Sequence, residues 1–180
     1  MIKCDLDKVS IPNKMLVIVR GLPSSGKTTI AKILTANQGV AISVDEFMTT
    51  PNGEYEFSKN AFIEAQRQCK NLCQDLMQSE TDLIVIHNTM AQAWEAEPYF
   101  DMAREYGYLV QVMNLYDGGL TDAELASRSV HSMPIHLIQK TRQRWDIDIY
   151  PHRQRRPSPR AFDEANPPKV YTHFRDIVRK

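Results

Sequence analysis

The chain has 180 residues, of which 42% are hydrophobic and 24% charged, enough for one domain with a proper core. No apolar run approaches the length of a membrane span, and the first residues carry acids instead of an apolar signal core, so a membrane or secreted protein is not expected and a reducing cytoplasm is. Formal net charge is zero, yet residues 1–149 hold 14 basic and 19 acidic side chains while residues 150–180 hold 8 and 3, which separates a domain over 1–150 from a basic C-terminal segment over 151–180, packed on it or extending from it.

Residues 1–14 read as a lead-in with room for an edge strand. Met15-Leu16-Val17-Ile18-Val19 is a β-branched apolar run that predicts a buried strand. Behind it stands Gly21-Leu22-Pro23-Ser24-Ser25-Gly26-Lys27-Thr28, followed by apolar residues at helical spacing through Leu34. A G-x-x-x-x-G-K-[ST] pattern between a strand and a helix is the context of a phosphate-binding loop. Gly21 and Gly26 let successive N–H groups turn inward on an anion, and the helix start adds its dipole. Pro23, Ser24, Ser25 and Thr29 complete the expected nucleotide contacts. Lys27 is expected to reach the β- and γ-phosphates of ATP or another nucleoside triphosphate, and the Thr28 hydroxyl to ligate magnesium.

Asn37-Gln38-Gly39 is expected to close the first helix. Val40–Val44 predicts a second strand, ending on Asp45-Glu46 beside the loop. Thr49–Gly53 is turn chemistry. Ser58 caps a helix that runs to Ser79, with Phe62, Ala65, Cys69, Leu72, Cys73 and Leu76 on one face. Cys4, Cys69 and Cys73 lack zinc-finger pairing, and the last two read as small core hydrophobes. Leu83–Ile86 is the third strand, ending at His87-Asn88-Thr89. A helix over 93–106 stops at Gly107, and Leu109–Leu115 is the fourth strand. Thr121 to Glu124 resembles a capping box. Met133-Pro134 breaks that helix, and another follows over 135–145. Beyond Pro151 prolines and arginines predict an extended segment, with a last strand or short helix near 170–178. Strands alternating with helices imply an α/β fold whose mainly parallel sheet is covered on both faces, with ligands beyond the strands' carboxyl ends.

Phosphoryl transfer to an alcohol requires a group that accepts or positions the hydroxyl proton. Asp45 is the candidate, with a helix cap or a water-mediated magnesium contact as the other reading. Glu46 would point elsewhere on an extended backbone. His87, Asn88 and Thr89 could orient water or touch substrate, or serve structure alone. Arg128 and His131 suit a closing lid or, equally, a surface ion pair. Arg142, Arg144, Arg153, Arg155, Arg156 and Arg160 could meet the phosphates of a polymer, although the aromatics nearby are only Trp145, Tyr150 and Phe162.

From Leu16 to Trp145 the sequence resembles the phage 5′-hydroxyl polynucleotide kinase domain and related small AAA-type P-loop kinases. The resemblance rests on Ser43-Val44-Asp45-Glu46-Phe47 after the loop, then Gly53-Glu54-Tyr55-Glu56-Phe57. It continues with His87-Asn88-Thr89-Met90, Trp94-Glu95 with Pro98-Tyr99, and Leu125 to Pro134 with Arg128 and His131. It implies a three-layer P-loop NTPase fold of the nucleotide-kinase type with a helical lid. It also implies ATP and magnesium, Asp45 as general base, Lys27 and Thr28 as nucleotide and metal contacts, and Arg128 as a lid arginine. Two departures stand out: His87 occupies a position that is acidic in the family, and Met48 aligns with an arginine of the phage enzyme. The implied acceptor is therefore a polynucleotide 5′-hydroxyl, a hydroxyl on a modified base of phage DNA, or a small molecule such as a nucleoside. A non-catalytic nucleotide-binding protein is the reading from another class.

Overall fold

Alternate residues of the first strand feed two separate cores, and this makes the molecule three layers deep. The computed structural model describes residues 14–49, 58–129 and 133–150. In β1 (Met15–Gly21), Leu16 and Ile18 point into a core shared with α2 (Lys59–Gln78) and α3 (Ala93–Tyr106). Val17 and Val19 point to the opposite face, where they meet Ala31, Ile30 and Leu34 of α1 (Lys27–Leu34). A strand buried on both faces needs apolar residues at every position, which is why the run is continuous. Each fully buried Leu or Ile contributes roughly 1.5–3 kcal/mol by leaving water.

The remaining strands are β2 (Val40–Ile42), β3 (Leu83–Ile86) and β4 (Leu109–Tyr116). Their order across the sheet is β2-β3-β1-β4, and all three pairings are parallel. Two short helices, α4 (Asp122–Ser127) and α5 (Ile135–Gln143), follow β4 and enclose a third core of Leu22, Leu125 and Ile138. Ser58 caps α2 by accepting from the Ala61 N–H at 3.1 Å, and Thr121 with Glu124 forms the expected capping box on α4. Cys69 and Cys73 are buried in the α2 face of the core. Among the described residues no helix is long and apolar enough to cross a membrane.

Four local expectations are corrected. First, α1 ends at Leu34, before Asn37-Gln38-Gly39. Gly39 instead carries φ +92° at the entrance to β2, where a Cβ would lie 2.6 Å from the Leu83 carbonyl oxygen, so glycine answers a close approach rather than a helix end. Second, β2 stops at Ile42 and the chain turns into a 3-10 turn over Val44–Met48, so Asp45 and Glu46 do not lie on extended backbone. Third, β3 lies between β2 and β1, so Asp45 does not stand at the end of a strand adjacent to the phosphate loop. Fourth, on α2 Phe62 is exposed while Met77 is buried, because the core stripe continues through Ala65, Cys69 and Cys73 toward the C-terminal end. All but Lys14 of the lead-in over 1–14, all but Thr49 of the turn over 49–53, the stretch 53–57, His131, the segment 151–180 with Arg153, Arg155, Arg156 and Arg160, and the strand or helix near 170–178 lie outside the described residues.

Candidate active site

The loop between β1 and α1 has the backbone an anion cradle needs. Ser24 has φ +63° and Gly26 φ +97°, both left-handed, and Gly26 is the residue from which α1 starts. Only glycine adopts the Gly26 conformation without strain. A Cβ on Gly21 would collide with Ser25 Oγ and stand 3.1 Å from the Tyr116 carbonyl oxygen, so the loop closes only over a bare Cα. The Leu22 N–H donates to that same carbonyl at 2.7 Å, and Gly118 lies against the Ser25 carbonyl, so the turn after β4 buttresses the loop.

Lys27 curls over the loop and donates from Nζ to the Leu22 carbonyl at 2.8 Å. Burial pushes its ammonium down to about 8, opposed by the nearby Asp45 carboxylate. Ser25 Oγ is buried with no hydrogen-bond partner. An orphaned hydroxyl, a desolvated ammonium and inward-turned backbone are what an oxyanion-rich ligand would satisfy, so residues 21–29 fit a triphosphate. Thr28 and Thr29 are exposed at the start of α1, and the Thr28 hydroxyl is the group available there to magnesium.

Asp45 comes from the 3-10 turn and Lys27 from the start of α1, and the carboxylate is near enough for its charge to act on Lys27 although the sheet order separates β2 from β1. The end of β3 lies between them. His87 is buried, with its backbone N–H donating to the Ile42 carbonyl at 3.1 Å and its Nε2 3.6 Å from Glu46 Oε1. Asn88 Oδ1 accepts from the Val44 N–H at 2.8 Å, and its Nδ2 donates to Cys69 Sγ at 3.7 Å. Thr89 is half-buried. Glu46 therefore faces His87 instead of pointing away, a consequence of the 3-10 backbone.

Arg128 ends α4 and is exposed; it adds its charge to the Thr121 N–H and hydroxyl, which are the main groups that draw the Glu124 carboxyl down. Arg144 is exposed at the end of α5. Arg142 is engaged within the molecule: it binds Asp117 at 2.8 Å and Asp122 at 2.8 Å, with its guanidinium 5.0 Å from the Tyr116 ring centroid.

Arg20 was not among the residues singled out from the sequence. It is fully buried at the end of β1 and donates to the carbonyls of Ala91 at 3.2 Å and Asp146 at 2.9 Å. Its guanidinium lies 4.0 Å from the Trp145 ring centroid, and Trp145 packs on Tyr116 at 5.3 Å. Arg20, Trp145, Tyr116 and Arg142 thus form a stacked column from the sheet to the lid helices. Burial lowers Arg20 to about 10, with Asp146, Glu95 and Asp148 opposing. A lone arginine closing the run Met15–Gly21 was the available signal: a charge inside a buried strand requires partners.

Residues 16–118 match the family model described as AAA domain. Human (Homo sapiens) NEDD4-binding protein 2 is 34% identical over 136 residues, 74% of this chain but only 8% of that much longer protein. The crystal structure of a putative kinase from Chloroflexus aurantiacus has a TM-score of 0.57 at 18% identity, covering 77% of this chain and 80% of that one. A chain of the Pnkp1/Rnl/Hen1 RNA repair complex has a TM-score of 0.52 at 20% identity, covering 73% of this chain and 43% of that one.

Proposed function

This chain belongs to the AAA domain family and has the P-loop kinase fold, and from that premise we propose that it is an ATP- and magnesium-dependent kinase acting on a hydroxyl. The observation that carries the proposal is the loop itself: left-handed Ser24 and Gly26, the buried and partnerless Ser25 Oγ and the desolvated Lys27 make a cradle for phosphates, with the Asp45 carboxylate near enough for its charge to act on Lys27. Lys27 holds the β- and γ-phosphates, with the loop N–H groups and Ser25 Oγ sharing the negative charge. Asp45 takes the proton from the acceptor hydroxyl as its oxygen bonds to the terminal phosphorus and the bond to the nucleoside diphosphate breaks. Magnesium, held through Thr28, would supply further neutralisation of the phosphate oxygens. Arg128, on the lid side, would add positive charge and help exclude water; His131, from the same stretch, is proposed to contact the acceptor. Thr89 is proposed to face the acceptor as well.

A nucleic acid is the favoured acceptor. Exposed Arg144 and the arginines at 153, 155, 156 and 160 supply phosphate contacts, whereas Arg142 is held by two carboxylates and serves the lid. That internal commitment also favours a second reading, a small-molecule kinase that does not use the basic segment. Incubation with γ-labelled ATP and a panel of acceptors separates them. Label in a 5′-hydroxyl oligonucleotide supports the first and label in nucleosides or other small alcohols the second. No label in any acceptor would sink both.

A further inference from the structure

We infer that Asn88 sets where the Asp45 carboxylate stands, as a positioning residue that acts through the backbone of the 3-10 turn. The inference rests on the reading of Asp45 as the proton acceptor.

Asp45 has no strand to hold it. β2 ends at Ile42, and β3 separates β2 from the strand that leads into the loop. The turn must therefore lean over the end of β3 for Asp45 to approach Lys27. The Asn88 side chain ties that turn to the end of β3. Its Oδ1 accepts from the Val44 N–H at 2.8 Å, immediately before Asp45. Because that N–H can only donate, the orientation of the amide is determined, and Nδ2 is left to donate to Cys69 Sγ on α2. Cys69 also receives the Tyr99 hydroxyl of α3 at 3.5 Å. The amide is thus gripped by two helices on its donor side and presents its acceptor side to the turn. His87, with Nε2 3.6 Å from Glu46 Oε1, adds a second tie one residue further along the same turn. Asn88 binds neither loop nor lid by any of these contacts. Its influence on the chemistry runs through the placement of Asp45.

The test reads the hydrogen bond itself, independently of turnover. In 15N-labelled protein without nucleotide the Val44 amide is protected from hydrogen exchange by Asn88 Oδ1. Asn88→Ala is expected to speed its exchange by more than about tenfold while the amides of α2 keep their protection. Asn88→Leu fills the same volume against Cys69 without offering an acceptor and should match Asn88→Ala; it serves in its place if the alanine variant does not fold. In parallel, kcat for a 5′-hydroxyl DNA oligonucleotide should fall about 10- to 100-fold in the single variant, the scale of a misplaced reacting group, with KM for ATP changed less than about twofold and no further loss in the Asp45→Asn background. A folded Asn88 variant with wild-type exchange at Val44 or wild-type kcat overturns the inference, as do losses that simply add to those of Asp45→Asn. If Asp45→Asn alone leaves turnover untouched, the reading of Asp45 itself fails, and the two failures are distinct.

Discussion

Lys27 carries the sharpest residue-scale consequence. Its ammonium titrates near 8 in the folded chain against an ordinary 10.5, so between those values the unfolded chain binds more protons and this group makes folding stability rise with pH. A triphosphate requires the charged form, so binding above pH 8 should take up close to one proton and affinity should fall by up to about tenfold per pH unit. Calorimetry in buffers of differing ionisation enthalpy measures that uptake. It should vanish in Lys27→Ala along with most of the affinity, and an uptake of zero in the wild type at pH 8.5 or above (roughly half a unit past the midpoint) contradicts the assignment. Asp45→Asn should bind ATP normally and lose about 10²–10⁴-fold in turnover, the contribution of a positioned base. A loss of only a few-fold would make Asp45 a cap or an outer magnesium contact. The second residue-scale case is Gly21: alanine there meets Ser25 Oγ and the Tyr116 carbonyl oxygen, which is backbone and already takes the Leu22 N–H, so Gly21→Ala should abolish nucleotide binding while Gly107→Ala, with open space around it, should not.

At the scale of elements, the lid helices are fastened by Arg142. It joins α5 to the β4–α4 turn through Asp117 and Asp122, and burial of Asp117 is outweighed by Arg142 and the Gly119 N–H, which together hold its carboxyl below 3.8. A carboxyl with a depressed folded value stabilises above its unfolded value and loses that contribution as pH falls below it. Arg142→Ala should therefore lower stability by roughly 1–2 kcal/mol at neutral pH, between the measured ranges for exposed and buried pairs, and by progressively less below pH 3.8. Thermal melts across pH 3–7, a range of about four units around the carboxylate value, check the sign. A constant difference across that range would mean that the Tyr116 stacking, not the ion pair, holds the lid.

For the whole molecule the open question is what the basic segment serves. If Arg153, Arg155, Arg156 and Arg160 neutralise phosphates of a bound strand, affinity for oligonucleotide should fall with salt at about 0.7 log units per log salt for each contact. Replacing all four by glutamine should flatten that slope by roughly three and lower kcat/KM for oligonucleotide, with ATP affinity unchanged. If the segment instead rests on the acidic body of the domain, the same substitutions lower thermal stability and leave the slope as it was.

The amino-acid sequence by itself determined the order and kind of elements, because each rests on local chemistry: a continuous β-branched run, a glycine-bounded loop, Ser58 and Thr121 at helix starts. The nucleotide loop was legible for the same reason, since its glycines, lysine and threonine lie within a single turn of chain. What the sequence left open depended on contacts between distant residues. Periodicity does not reveal that β3 enters between β2 and β1, and so it put the strand leading to Asp45 next to the one leading into the loop. Short apolar runs do not reveal where a strand ends, and the turn at Val44 forms because Val44 and Met48 are buried in the core and the Val44 N–H finds Asn88. The partners of Arg20 lie 71 and 126 residues away, and those of Arg142 lie 25 and 20 away. Only tertiary structure decided these roles, because a buried charge is defined by the carbonyls and carboxylates that fold around it, and no local pattern encodes which they will be.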